Sequence, residues 1–140
     1  MILAPVRSSV PISETSEAQL ASMVGYLRSV VIAHPLAKER FHVVFLDDQR
    51  RYIGASPMGR GAVSALTVRI RELFRSALAV NASAIIVAHN HPSGVCRPSD
   101  IDISETRRLA SIAQALDIEL IDHLIFTQES LYSMRAGGDL

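Results

Sequence analysis

His89 and His91 stand one residue apart, and Ser99 and Asp102 follow after a loop containing Pro92, Gly94 and Pro98. Imidazole nitrogens and carboxylate oxygens are the donors that divalent zinc takes, so these types in one neighbourhood point to a metal site. In an extended chain, residues two apart project to the same side. His89 and His91 therefore point together while Asn90 points away. The prolines and the glycine break the strand, and Ser99 with Asp102 reads as the first turn of a helix, where a carboxylate can fold back towards the imidazoles. Two nitrogens and one oxygen make three protein ligands. A tetrahedral zinc ion with three protein ligands keeps a fourth position for water, which is the catalytic arrangement. Asp102 has a competing role, because Ser99-x-x-Asp102 is also a helix capping box in which the carboxylate reaches back to a backbone N–H. Residue types alone leave the two roles open.

Water on a zinc ion has its pKa lowered only to about 7, so a base is needed to take its proton. Glu39 at the start of a strand, Glu72 within a helix and Glu105 just beyond Asp102 are the carboxylates in view. Periodicity does not choose among them. Asp100 and Glu105 read as solvated or capping groups beside the ligand set. Ser99 can cap its helix or donate to an oxyanion. Asn90 and Ser93 are expected to fix the loop through side-chain to backbone hydrogen bonds. Cys96 lies close to the histidines and reads as an ordinary free thiol rather than a nucleophile or fourth ligand. Asp122-His123 reads as a buried hydrogen-bonded pair supporting the sheet, with no assignment to the metal.

The spacing His89-x-His91, seven residues, Ser99, two residues, Asp102 resembles the signature of the JAMM (MPN-type) zinc metalloproteases. The words around it are similar to one branch. His89-Asn90-His91-Pro92-Ser93-Gly94, then Pro98-Ser99 and Asp102, then Asp122-His123 and Tyr132-Ser133 resemble the RadC family of bacterial JAMM-domain proteins, from about Glu39 to the C-terminus. The resemblance implies zinc held by His89, His91 and Asp102, and an oxyanion role for Ser99. Lys38-Glu39-Arg40-Phe41-His42-Val43-Val44-Phe45-Leu46-Asp47 resembles the RadC segment that carries the catalytic glutamate, which implies Glu39 as the base. It further implies a hydrolase that cleaves a peptide or isopeptide bond by activated water, a protein or peptide substrate, and a cytidine-deaminase-like JAMM/MPN core. RadC proteins also carry a historical association with DNA repair, so the alternative is a repair-associated accessory or DNA-binding domain without peptidase activity. Longer RadC proteins have a helix-hairpin-helix region ahead of the JAMM part, and too few residues precede Glu39 here for one to be expected.

Two other readings fail on the letters. In HNH nucleases the named residues are dispersed over a ββα unit, unlike the contiguous His89-Asn90-His91. Zinc deaminases need a His-x-Glu with a later Cys-x-x-Cys, and neither occurs.

The elements that must position these residues follow from patterning. Met1 to about residue 15 has two prolines and no periodicity and reads as a flexible N-terminal segment; residues 16–140 read as one domain. Ser16-Glu-Ala-Gln19 fits a capping box, and Leu20, Met23, Val24, Leu27, Val30 and Val31 recur at helical spacing until His34-Pro35. Phe41–Leu46, a polar turn at 47–51 and Tyr52–Met58 read as a hairpin. Gly59-Arg60-Gly61 reads as a flexible connection, and Leu66, Ile70, Leu73, Phe74, Ala77 and Leu78 mark a second helix. Ala84 to Ala88 is a continuous apolar run of the kind found in strands buried on both faces, with the imidazoles following where it ends. A third helix after Ser99 is expected to carry Ile101, Leu109, Ile112, Ala113 and Leu116 inward. Glu119–Phe126 and a short stretch around Tyr132 return as strands. The order predicts an α/β (α+β) fold, a mixed sheet flanked by helices.

Composition sets the outer bounds. A chain of 140 residues buries on the order of 70% of its unfolded surface, enough for an ordinary core. Its 49% of hydrophobic residues is broken up by charges, and no run approaches the roughly 20 needed to span a bilayer, so no membrane is expected. The N-terminus lacks the apolar core and cleavage site of a signal peptide. A single cysteine cannot form an internal disulfide, and both features fit a cytoplasmic protein. Fourteen basic and fourteen acidic residues balance, so the global cationic excess that advertises nucleic-acid binding is absent, while a local patch stays open. A homo-oligomer is also left open.

Overall fold

The computed structural model describes residues 17–33, 38–58 and 66–140. Its elements run α1 (Glu17–Val31), β1 (Phe41–Leu46), β2 (Tyr52–Met58), α2 (Leu66–Ala79), β3 (Ala84–Asn90), α3 (Asp100–Ala115), β4 (Glu119–Phe126) and β5 (Leu131–Ser133). The β-branched and aromatic stretches form the strands, as their preference for a pleated, half-buried surface dictates. They make one mixed sheet in the order β2-β1-β3-β4-β5. β3 is central: it runs antiparallel to β1, with Phe41 opposite His89, and parallel to β4, with Val87 opposite His123. Every residue of β3 from Ala84 to Asn90 is buried, which accounts for the unbroken apolar run at its start. β3 extends two residues beyond the predicted end, so His89 and Asn90 belong to the strand and do not follow it.

Alternation along the strands feeds two cores. Val43, Phe45, Ile85 and Val87 pack with Ile70, Leu73 and Phe74 of α2 and Leu109 and Ala113 of α3. Val44, Leu46, Ala84, Ile86 and Ala88 pack with Leu27 and Val31 of α1 on the opposite face. The sheet is thus covered by α1 on one side and by α2 and α3 on the other. Three residues expected inside are exposed: Leu78 (57%), Ile101 (66%) and Leu116 (40%). Ala77 fills the inward place on α2, and Leu78 is turned by about 100° from it. Ile101 and Leu116 lie at the two ends of α3, beyond the part that Leu109 and Ala113 seat on the sheet.

β4 contains an irregularity that matters for the site. Its register with β3 shifts between Ile85 and Ile86, which face Leu120 and Asp122, leaving Ile121 as an extra residue. A bulge of this kind reverses the parity of side chains beyond it. Leu120 belongs to the α2/α3 core, and His123, three positions on, reaches that same side, where it meets Phe41 at a ring separation of 5.7 Å.

The predicted N-terminal segment, the capping box at Ser16, the stop at His34-Pro35 and the connection Gly59-Arg60-Gly61 lie outside the described residues. Among the described residues no helix is long and apolar enough to cross a membrane.

Candidate metal centre

The end of β3 and the start of α3 converge. His89 leaves the strand on the α2/α3 side, and His91 follows as its backbone N–H donates to Phe126 O at 2.9 Å. The loop then turns through Gly94, whose φ of +85° suits a residue without a Cβ. Gly94 N donates to His91 O at 3.1 Å, and Ser93 Oγ accepts from Val95 N at 3.3 Å, the loop-fixing role expected of Ser93. Asn90 departs from its expected role. Its side chain points to the other side and holds the segment ahead of β1: Oδ1 accepts from Arg40 N at 2.5 Å and Nδ2 donates to Lys38 O at 3.0 Å.

Ser99 caps α3, and both halves of the capping box are made: Ser99 Oγ accepts from Asp102 N at 3.0 Å, and Asp102 Oδ2 accepts from Ser99 N at 2.9 Å. That cap aims Asp102 at the histidines. His91 Nε2 lies 3.0 Å from Asp102 Oδ2, His89 Nε2 lies 2.9 Å from His91 Nε2, and His89 Nε2 lies 3.6 Å from Asp102 Oδ1. The two roles open to Asp102 in the sequence are therefore compatible in one rotamer.

His91 Nδ1 faces the Val95 carbonyl at 2.9 Å. A carbonyl only accepts, so Nδ1 carries a proton and Nε2 is the nitrogen turned towards Asp102. Burial raises the Asp102 carboxyl, but hydrogen bonding to His89 and to the Ser99 backbone N–H outweighs it and holds the group well below the usual carboxylate range. A carboxylate and two imidazole nitrogens thus face one point, a donor set that could hold a divalent cation. Atoms 2.0–2.1 Å from a tetrahedral zinc lie roughly 3.3–3.4 Å apart, and the observed 2.9, 3.0 and 3.6 Å bracket that spacing. His89, His91 and Asp102 are the one group of three or more His, Cys, Asp or Glu suited to a metal among the described residues. His89 is 1% exposed, whereas His91 and Asp102 are each 16% exposed, so the centre opens to solvent on their side. A groove lined by Asn90, His91, Pro92, Gly94, Gln128 and Ser130 lies beside His91. Arg28 of α1 holds its far wall, donating to Thr127 O at 2.7 Å and Ser130 O at 3.1 Å.

The other residues singled out in the sequence fall around this centre. Glu39 is exposed just ahead of β1; Asn90 N donating to Arg40 O at 3.3 Å carries the β1/β3 pairing as far as Arg40, and one further step of the same register would set Glu39 opposite His91. Glu72 lies half-buried on α2, and Asp100 is exposed at the start of α3. Glu105 is half-buried on α3 and lines a small apolar cavity with Phe41 and His123. None of the three enters the ligand group. The Cys96 thiol donates to Ile125 O at 3.5 Å and also stands apart.

Asp122 and His123 are hydrogen-bonded as expected, but only through the His123 backbone N–H; their side chains face opposite ways, as neighbours on a strand do. Asp122 ties down the C-terminal turn: Oδ2 accepts from Ser133 Oγ at 2.5 Å, and Oδ1 accepts from Arg135 N at 3.0 Å and from His123 N at 2.7 Å. His123 goes to the centre instead. Its Nε2 lies 2.6 Å from His89 Nδ1, and its Nδ1 lies 2.7 Å from Thr106 Oγ1. Burial drives the His123 pKa well below its ordinary value, and nearby His89 adds to that, so the ring is neutral. The residues alone single out His123 without assigning it to the metal, and they do not single out Thr106. Thr106 was findable, since it lies one helical turn beyond Asp102 on the same face.

The RadC-like JAB domain family model matches residues 15–139. A UPF0758 protein of Cupriavidus pinatubonensis is 41% identical over 120 residues, covering 86% of this chain and 52% of the relative. A UPF0758 protein of Acidithiobacillus ferrooxidans is 46% identical over 101 residues, covering 72% of this chain and 45% of the relative. One from Cellvibrio japonicus is 42% identical over 113 residues, covering 81% and 50%. The chain spans about half the length of the curated relatives it matches. A match over nearly the whole chain, in a fold that brings the quoted motif to one point, places the family: this chain belongs to the RadC-like JAB domain family.

Proposed function

We propose that the chain is a zinc-dependent hydrolase of the JAMM type, acting on a peptide or isopeptide bond of a protein or peptide substrate. The observation that carries this reading is the convergence of His89 Nε2, His91 Nε2 and an Asp102 carboxylate oxygen within 4.8 Å of one another. In this reading those three atoms hold the metal. A zinc ion bound there supplies a Lewis acid and a water of lowered pKa. Glu39 is the general base in this proposal, taking a proton from water and returning it to the leaving amine. Its support is its place opposite His91 in the extended register and the hold of Asn90 on Lys38 and Arg40 at either side. Ser99 Oγ accepts a hydrogen bond from Asp102 N. The proton of its own hydroxyl has no acceptor among the described residues and is assigned to a developing oxyanion. The groove beside His91 offers a polypeptide a way in.

The test is matched digestion of a peptide and isopeptide library by the zinc-loaded wild-type chain and by Glu39→Gln, read by mass spectrometry. The proposal expects cleavage products from the wild type, lower by about 10²–10⁴-fold in the variant, with equal zinc content in both. Equal cleavage by the two proteins contradicts the role of Glu39. Plain duplex DNA shifted in a salt-dependent way, with no cleavage in any library, would favour the repair-associated alternative.

A further inference from the structure

We propose that His123 is a positioning residue that, together with Thr106, decides which ring nitrogen of His89 is free to bind metal. The inference rests on the reading of His89 as a ligand and extends it to residues that touch no metal. His89 Nδ1, His123 Nε2, His123 Nδ1 and Thr106 Oγ1 form a chain with contacts of 2.6 and 2.7 Å. Thr106 Oγ1 then donates to Met134 Sδ at 3.7 Å. All four residues are buried, at 1%, 3%, 2% and 0% exposure for His89, His123, Thr106 and Met134.

A buried chain with one proton per contact has only two orders. In one, the Thr106 hydroxyl donates away to Met134, His123 donates from Nδ1 to Thr106, and His89 donates from Nδ1 to His123. The lone pair of His89 then lies on Nε2, facing His91 and Asp102. In the other, every proton points the opposite way, and His89 carries N–H on Nε2, where it closes the centre to a metal. The Thr106-to-Met134 contact belongs to the first order, whereas a hydrogen bond from His89 Nε2 to Asp102 belongs to the second; a metal at Nε2 displaces that proton and leaves the first. The two orders carry the same charge, so the selection is one of tautomer. Outer partners of ligating histidines set ring orientation and basicity in this manner; here the partner is a second imidazole rather than the more frequent carboxylate or carbonyl. Both ends of the device belong to α3. Thr106 is one turn beyond Asp102, so seating that helix places the carboxylate and completes the relay in one step.

The test uses the whole chain with zinc itself as the probe. In the zinc-loaded wild type, ¹⁵N-detected imidazole spectra are expected to place a slowly exchanging proton on His89 Nδ1, with scalar coupling across the hydrogen bond to His123 Nε2. His123→Phe removes the acceptor and is expected to weaken zinc binding by about 10–100-fold. His123→Gln offers a carbonyl oxygen near the place of Nε2 and is expected to restore binding to within a few-fold of wild type. Should His123→Phe fail to fold, the isosteric Thr106→Val is expected to weaken zinc binding and Thr106→Ser to recover it. Wild-type affinity in His123→Phe or Thr106→Val, or a proton on His123 Nε2 in the loaded protein, overturns the proposal and leaves the ligand set standing. A wild-type chain that binds no zinc overturns both.

Discussion

Oδ2 of Asp102 lies 3.0 Å from Nε2 of His91, and the same oxygen accepts from the Ser99 backbone N–H at 2.9 Å. One atom therefore ends a helix and faces a ligand imidazole. The capping bond fixes the rotamer in which the carboxylate faces both histidines, so a metal bound in the proposed way would not have to order a free carboxylate.

The two uses of Asp102 separate by mutation. Ser99→Ala removes the acceptor for Asp102 N and is expected to cost about 1 kcal/mol of stability, with zinc affinity within a few-fold of wild type. Asp102→Asn keeps a capping oxygen but removes the charge, and should lower zinc affinity by more than about tenfold with a smaller loss of stability. Denaturant melts and chelator competition measure both. Equal losses of affinity in the two variants would show that Asp102 serves only its helix.

Asn90 is 2% exposed, and its amide bridges the backbone on both sides of Glu39. Asn90→Ala strips partners from two backbone groups and is expected to destabilise the chain by roughly 1–3 kcal/mol. Turnover should fall as well, because Glu39, the proposed base, loses its fixed place, while zinc stoichiometry is kept. Thermal melts, metal content and kcat on any substrate found by library digestion read this out. Unchanged kcat would place Glu39 outside the reaction.

His42 supplies a pH dependence away from the centre. It projects towards α1, where the Tyr26 hydroxyl lies 3.0 Å from its Nε2, and burial lowers its pKa from 6.5 to about 4. The unfolded chain takes up this proton more readily than the folded one. The contribution of neutral His42 to stability is therefore whole above pH 6.5 and is lost progressively as pH falls towards 4. His42→Phe is expected to flatten the fall in denaturant midpoint over that window, although the hydrogen bond to Tyr26 is lost at every pH. An unchanged slope would assign the acid sensitivity to other groups.

Much of this arrangement was legible in the residues. The element order and the bounds of β1, β2 and β4 follow from β-branched and aromatic runs and the polar turns between them, and the ligand candidates follow from spacing. Two features did not. His123 and Asp122 look like a pair when written side by side, yet the extra residue at Ile121 reverses the parity of β4 and sends His123 to the metal side. A bulge leaves no composition signal in Glu119-Leu-Ile-Asp-His-Leu-Ile-Phe126. The hold of Asn90 on the segment ahead of β1 leaves no local signal, because its partners, Lys38 and Arg40, are some fifty positions away in the chain. The outward turn of Ile101 and Leu116 was hidden for a third reason: apolar periodicity locates the face of a helix but not how far along its length the sheet supports it.

The most direct measurement of the central claim is zinc X-ray absorption on the purified chain, paired with metal content of the wild type and of His91→Ala. The account predicts one zinc per chain, a first shell of two imidazole nitrogens and oxygens with no sulfur, and loss of stoichiometric metal in the variant. Absence of stoichiometric zinc from the wild type, or sulfur from Cys96 in the shell, would contradict it.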